Sequence, residues 1–152
     1  MKRDYRGLAL ALAVTLAVPL PRPRRMFVVN LTGSTPRGLY ALSSRRPAVN
    51  DYVVIESGRL AFSGGLRGDL LLVKRLAYAD GEAVRISKDA LTVAGRVYAK
   101  HRPEGVAYDA ALAAGEGILL GDHPRSFDSR YFGPVKLSGC IRAVPLLLLD
   151  AP

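Results

Sequence analysis

Short apolar runs separated by turn residues recur along the chain after Met26. Several of them alternate apolar and polar positions with the period of two that is typical of β-strands. The predicted strands are 26–29, 38–42, 52–55, 70–76, 83–86, 91–99, 117–121 and 140–149. Turn signals lie between strands at 63–65 and 80–81, and a further one lies at 94–95, within 91–99. Short strands at this spacing predict a mainly β fold, either an antiparallel sandwich or a partly open barrel.

Two segments depart from the strand pattern. Residues 108–115, YDAALAAG, have the alanine-rich composition of a brief helix. Residues 124–136 carry turn residues and charges without periodicity. The second segment is therefore predicted to be a loop, either ordered for a function or flexible.

The N-terminus has a basic start, MKRDYR, followed by an uncharged apolar run at 7–20. A helix of these 14 residues is about 21 Å long, shorter than the roughly 30 Å hydrocarbon core of a bilayer. This length is typical of a secretory signal, but the sequence Pro-Arg-Pro that follows is not a small-x-small cleavage site. We expect a retained signal-anchor helix at 1–25 and one domain at 26–152. A buried helix and a removed signal peptide are the alternatives.

Composition supports a globular domain with a real core, since 49% of the 152 residues are hydrophobic and 23% are charged. The net charge of +9 fits either nucleic acid or an anionic membrane surface. The basic cluster PRPRR directly follows the apolar run, which favours the membrane. We expect no nucleic-acid partner, because the basic residues form no stripe with interleaved aromatics. Cys140 is the only cysteine, which excludes an internal disulfide and a cysteine-rich metal site.

Lys74 follows four consecutive apolar residues, although lysine is rarely buried. On a strand, Lys74 shares a face with Leu70 and Leu72, whereas Arg75 points to the other face. Burial would lower the pKa of the Lys74 amine from about 10.4 and leave it able to accept a proton from a serine hydroxyl. The alternative is an edge-strand lysine whose amine reaches water.

Two further segments carry hydroxyl groups. Residues 30–40, NLTGSTPRGLY, form a hydroxyl-rich turn between two strands, from which a serine can project. Residues 121–133 group their polar side chains within five positions: Ser126, Asp128, Ser129 and Arg130. Asp128 can pair with Arg75 or Arg130, and Ser126 can hydrogen-bond a neutral lysine amine. Taken alone, each segment also fits an ordinary capped turn or a solvated loop.

Together these segments resemble the type I signal peptidases, membrane proteases that use a Ser/Lys dyad. Residues 73–99 are similar to that family's lysine box and its following hairpin, and residues 50–55 to its Gly-Asp-apolar strand. SFDSRYFG is similar to its Ser-x-Asp-Ser-Arg box. The nucleophile segment departs from the Ser-Met-x-Pro of the housekeeping enzymes. Its pattern, T-x-S-x-P-x-G-L-Y, resembles the TraF branch, the conjugative-transfer peptidases that mature prepilin.

The resemblance implies that Ser34 is the nucleophile and Lys74 the general base. It implies that the Thr32 hydroxyl and the Ser34 backbone N–H form the oxyanion hole. The supporting residues implied are Ser126, which orients the lysine amine, and an ion-pair scaffold of Asp128 with Arg75 and Arg130. The implied fold is of the signal peptidase type, and no cofactor or metal is expected.

The implied function is that of a membrane-anchored endopeptidase on the periplasmic face of the cytoplasmic membrane. Its substrates would be exported precursors cut after small residues, above all conjugative prepilin. An acyl-enzyme attacked by an amine instead of water would cyclise the product. The alternatives are a general type I signal peptidase, a Ser-His-Asp hydrolase using His101 or His123, and a non-catalytic, basic, membrane-anchored binding module.

Overall fold

The structure is a computed structural model that describes residues 26–149. The predicted signal-anchor at 1–25 lies outside the described residues. Within residues 26–149, no helix has the length and apolar character needed to cross a bilayer.

Antiparallel strands are the main regular structure of residues 26–149 and form two sheets. They are β1 (Phe27–Asn30), β2 (Gly38–Ser43), β3 (Tyr52–Glu56), β4 (Leu71–Ala79), β5 (Ala83–Ile86), β6 (Ala90–Val93), β7 (Arg96–Ala99), β8 (Tyr108–Ala111), β9 (Glu116–Leu120), β10 (Val135–Lys136) and β11 (Ile141–Leu148). A seven-stranded sheet has the order β1-β2-β11-β3-β4-β9-β10, and a four-stranded sheet has the order β7-β6-β5-β8. The prediction of a mainly β, antiparallel fold is confirmed.

Strand β3 shows why the central strands are almost entirely apolar. It pairs with β11 on one side and β4 on the other, and its three central residues are all buried. A strand covered on both faces needs apolar residues at every position, which explains the unbroken YVVI run. The predicted strand at 91–99 is instead a hairpin of β6 and β7, whose turn residues Ala94 and Gly95 both have positive φ.

The prediction of a helix at 108–115 is wrong. Residues Tyr108–Ala111 form strand β8, which pairs with β5 along its whole length. Alanine favours helices only weakly, and a free edge of β5 supplies backbone hydrogen-bond partners that a single helical turn cannot match.

The aperiodic segment 124–136 is ordered and contains the helix α1 (Ser129–Phe132) and strand β10. Asp128 is the N-cap of α1, and its side chain accepts a hydrogen bond from the Arg130 backbone N–H. The helix ends at Gly133, whose φ of +80° suits glycine. Phe132 packs into the main apolar cluster and fixes this segment against the seven-stranded sheet.

The two faces of β4 pack differently. Leu72 and Leu76 contact the main apolar cluster, so Lys74 lies between them on that face. Val73, on the opposite face, packs with Tyr40 and Ala143. The alternation places Lys74 on the Leu72 face, as predicted; Leu70 precedes β4 and is 44% exposed.

Candidate active site

Lys74 occupies the centre of the candidate site. It pairs with Val53 across the β3–β4 ladder, and only 3% of it is exposed. Its Nζ lies 2.8 Å from Ser34 Oγ and 2.9 Å from Ser126 Oγ. Burial lowers the pKa of the Lys74 amine to about 8, although the negative charge of Asp128 acts in the opposite direction. The amine is therefore poised between its charged and neutral forms near neutral pH.

The turn between β1 and β2 carries Ser34 to this amine. The Thr35 hydroxyl donates to the Val73 carbonyl at 3.3 Å, which ties the turn to β4. The Tyr40 hydroxyl donates to the Pro36 carbonyl at 2.6 Å, which ties it to β2. The backbone N–H of Asp122 donates to the Ser34 carbonyl at 2.7 Å, which ties it to the segment after β9. Three neighbouring elements thus hold the Ser34 backbone.

Thr32 lies beside Ser34 on the exposed side of the turn. Its Oγ1 is 3.2 Å from Ser34 Oγ, and it donates a hydrogen bond to Asn30 Oδ1 at 2.8 Å. The resting turn therefore directs the Thr32 hydrogen toward Asn30. An oxyanion formed near Ser34 has the Thr32 hydroxyl within reach once that hydrogen rotates away.

A buried ion pair supports Ser126. Asp128 and Arg130 share two hydrogen bonds, Nε to Oδ1 at 2.8 Å and Nη2 to Oδ2 at 2.6 Å. The Asp128 carboxylate also accepts from the Gly121 backbone N–H at 2.9 Å, and Arg130 donates to the Ser126 carbonyl at 3.3 Å. Several hydrogen bonds satisfy both buried charges, so the pair fixes the backbone on each side of Ser126.

Arg75 does not join this ion pair, contrary to the expected scaffold. It binds Asp122 with two hydrogen bonds, Nε to Oδ1 at 2.9 Å and Nη2 to Oδ2 at 3.1 Å. Its guanidinium also stacks 4.5 Å from the ring centroid of Tyr52. The physical reason is the strand alternation that turns Lys74 toward Ser34 and Arg75 away from it.

Asp122 is the residue that sequence reasoning missed. Its side chain is fixed by Arg75, and the Tyr52 hydroxyl donates to the same carboxylate at 3.1 Å. Its backbone N–H meets the Ser34 carbonyl, so Asp122 connects the other face of β4 to the nucleophile turn. The available signal was an acid directly after the glycine that ends the predicted strand 117–121.

The two histidines do not form a triad with Ser34. His123 uses its ring Nδ1 to accept from the Arg125 backbone N–H at 3.1 Å, and only its backbone N–H approaches Ser34, 3.4 Å from the carbonyl oxygen. The His101 backbone N–H donates to the Tyr131 hydroxyl. Within residues 26–149, no hydrogen bond joins a histidine ring to the Ser34 hydroxyl.

The geometry combines the Ser34 hydroxyl, the Lys74 amine of lowered pKa and the nearby Thr32 hydroxyl. A neutral amine 2.8 Å from Ser34 Oγ can accept its proton as the oxygen attacks an electrophilic carbon. The Ser126 hydroxyl, on the other side of the amine, keeps Nζ directed toward Ser34. The arrangement suits acyl transfer through a covalent serine intermediate.

Comparisons with known proteins identify similar sequences and structures. The family model described as signal peptidase, peptidase S26, matches residues 5–147. One of the similar solved structures is a signal peptidase I from Enterococcus faecalis V583, 26% identical in sequence. That match covers 64% of this chain and 96% of the other, with a TM-score of 0.41. A search of curated proteins finds no match.

Proposed function

This chain belongs to the peptidase S26 family of signal peptidases, which are serine hydrolases, and from this premise we propose that Ser34 and Lys74 are its catalytic dyad. One observation carries the proposal: Lys74 is 3% exposed as a residue, and its Nζ lies 2.8 Å from Ser34 Oγ. A charged lysine gains nothing from such a position, whereas a general base needs both the contact and the lowered pKa.

In the proposed reaction, Lys74 Nζ accepts the Ser34 proton while Ser34 Oγ attacks the scissile carbonyl carbon. The resulting oxyanion is stabilised by the Ser34 backbone N–H and the Thr32 hydroxyl. As the tetrahedral intermediate collapses, the peptide C–N bond breaks and the Lys74 ammonium returns its proton to the leaving amine. The neutral Lys74 amine then accepts a proton from water as the water oxygen attacks the acyl carbon. Collapse of this second tetrahedral intermediate breaks the bond from the acyl carbon to Ser34 Oγ, and the Lys74 ammonium returns the proton to Ser34 Oγ as the cleaved acid leaves.

The supporting residues act through Lys74 and Ser34. Ser126 directs the amine, and the Asp128–Arg130 pair fixes the Ser126 backbone. Arg75 acts on the other face of β4, where its pair with Asp122 holds the segment whose N–H binds the Ser34 carbonyl. Substitution of any one of these supporting residues is expected to shift the Ser34 and Lys74 side chains relative to each other, although both residues remain.

Signal peptidases act on signal-peptide-bearing precursors, and they are typically membrane-anchored with an extracytoplasmic catalytic domain. We propose residues 1–25 as the anchor, with the 26–152 domain on the outer face of the cytoplasmic membrane. The finer proposal is a TraF-type enzyme that cuts conjugative prepilin after a small residue. The nucleophile segment T-x-S-x-P-x-G-L-Y supports it. A prepilin acyl-enzyme attacked by the pilin's own amine would give a circular product.

The test uses the full-length chain in membranes with candidate prepilins and ordinary signal-peptide precursors. Wild type, Ser34→Ala and Lys74→Ala are compared, and the products are identified by intact mass. We expect processing by the wild type alone, and a product one water lighter than the linear cleaved form identifies cyclisation. Equal processing by all three proteins would exclude the dyad, and a preference for ordinary precursors would identify a general signal peptidase.

A further inference from the structure

Asn30 is a buried polar residue next to the nucleophile turn, at the end of β1. It is 5% exposed and pairs with Gly38 of β2, so the turn begins directly after it. Its Oδ1 accepts from the Thr32 backbone N–H at 3.1 Å and from the Thr32 hydroxyl at 2.8 Å. These two contacts fix both the backbone and the side chain of Thr32.

The amide nitrogen of Asn30 is equally engaged. Its Nδ2 lies 3.0 Å from the Thr35 hydroxyl and 3.1 Å from each of the carbonyl oxygens of Thr32, Thr35 and Pro36. An amide has two N–H donors, so these are shared among four acceptors. Each of these side-chain contacts is to residues 32–36, the five residues centred on Ser34.

This pattern goes beyond the local hydrogen bonding of an ordinary Asx turn, in which the side chain binds the backbone two residues further on. Asn30 encloses Ser34 from both sides, through Thr32 before it and through Thr35 and Pro36 after it. The 2.8 Å contact between Ser34 Oγ and Lys74 Nζ therefore depends on a turn whose shape one buried amide sets.

We propose that Asn30 is the positioning residue of the nucleophile, an inference that rests on the proposed Ser34–Lys74 dyad. Its amide nitrogen holds the turn that presents the Ser34 hydroxyl to Lys74. Its amide oxygen sets the resting direction of the Thr32 hydroxyl, whose hydrogen must leave Asn30 Oδ1 before it can reach an oxyanion. Asn30 touches neither the amine nor the reacting atoms, so it acts through Ser34 and Thr32.

The test measures kcat and KM of the full-length chain on a cleavable precursor for wild type, Asn30→Ala and Asn30→Asp. We expect Asn30→Ala to lower kcat about a hundredfold, because small displacements of reacting groups cost that much. KM is expected to change little, and the midpoint of the pH profile is expected to stay at its wild-type value, because Lys74 remains buried. Asn30→Asp keeps the shape and the acceptor for Thr32 but places an acceptor against three carbonyl oxygens, so its kcat falls too.

Rates are divided by the folded fraction, which circular dichroism measures. Tyr98→Phe is the matched control: it removes the 2.7 Å hydroxyl contact with Tyr78 in the four-stranded sheet and should lower stability without changing kcat. The inference is overturned if both Asn30 variants keep kcat per folded molecule within about threefold of wild type. It is also overturned, in favour of a purely structural role, if neither variant folds.

Ser34→Ala separates this inference from the proposed function. An active Ser34→Ala enzyme contradicts the dyad itself, and the role of Asn30 falls with it. An inactive Ser34→Ala enzyme beside fully active Asn30 variants contradicts the role of Asn30 alone.

Discussion

The amine of Lys74 has two hydroxyl neighbours and no carboxylate within hydrogen-bonding distance among the residues the structure describes. A carboxylate partner would stabilise the ammonium and raise its pKa, whereas hydroxyl groups can bind either form of the amine. The surrounding side chains therefore leave burial as the dominant effect, and the pKa falls to about 8.

The activity should follow this titration. We expect kcat/KM on a peptide substrate to rise with pH around a midpoint of about 8, since the base must be neutral in the free enzyme. The measurement is a pH profile of kcat/KM for wild type and for His123→Ala, which should share the same midpoint. A midpoint of about 6.5 that disappears in His123→Ala would identify a histidine base instead.

The same titration predicts a stability cost. The pKa of Lys74 is about 8 in the folded protein against an ordinary 10.5, so the unfolded chain binds this proton more tightly. Below pH 8 this difference lowers the free energy of unfolding by about 3 kcal/mol. The penalty disappears between pH 8 and 10.5, because the amine of the unfolded chain also becomes neutral there. Lys74→Met should therefore raise the free energy of unfolding at neutral pH. The net gain is expected to be about 1–3 kcal/mol, because the Ser126 hydroxyl loses its hydrogen-bond partner and this cost offsets part of the gain.

Urea unfolding of Lys74→Met and wild type at several pH values tests this cost. The stability advantage of the inactive variant should shrink as the pH rises above 8, because the Lys74 penalty, which only the wild type carries, disappears there. A variant less stable than wild type at every pH would show that the amine is not destabilised by its surroundings.

At the scale of elements, the site is formed where β4, the β1–β2 turn and the segment after β9 converge. Gly121 is the first residue after β9 and lies where that segment meets the β1–β2 turn. A Cβ added there would be 2.1 Å from Ser126 Oγ and 2.8 Å from the Ser34 carbonyl oxygen. The site thus requires the absence of a side chain at this position.

Gly121→Ala is expected to lower kcat by about a hundredfold, because Ser126 must move away from Lys74. Gly68→Ala is the matched control, since a Cβ there meets its nearest neighbour at 3.7 Å, an ordinary van der Waals contact. Steady-state kinetics of both variants with a peptide substrate test the prediction. Unchanged kcat in Gly121→Ala would mean that the amine does not need the Ser126 hydroxyl.

The sequence predicted local features well and long-range pairings less well. Most strands, and the face on which Lys74 lies, follow from the alternation of apolar residues within one segment. The pair formed by Arg75 and Asp122 joins residues 47 positions apart, and the choice between Asp122 and Asp128 depends on which face of β4 each acid approaches. Strand β8 was missed for a similar reason, because only the neighbouring edge of β5 makes it a strand.

At the scale of the whole molecule, charge is divided unevenly. Residues 1–25 contain six basic residues and one acidic residue, a net charge of +5 out of the total of +9. Within 26–149, the two ion pairs of the site carry no net charge, because each joins one arginine to one aspartate: Arg75–Asp122 and Arg130–Asp128. The excess positive charge is concentrated beside the apolar run, where it can bind anionic headgroups at about 1 kcal/mol per basic residue.

This division predicts that the two parts of the chain can be separated. The apolar clusters and the dyad are formed by residues within 26–149, so a chain lacking residues 1–25 should fold and cleave a soluble peptide with unchanged kcat/KM. On a precursor embedded in vesicles it should be about a hundredfold slower or worse, because it lacks the proposed anchor, which would supply a high effective concentration at the membrane. Equal rates of both chains on both substrates would show that residues 1–25 are not an anchor. A truncated chain unable to cleave the peptide would instead place residues 1–25 within the catalytic domain.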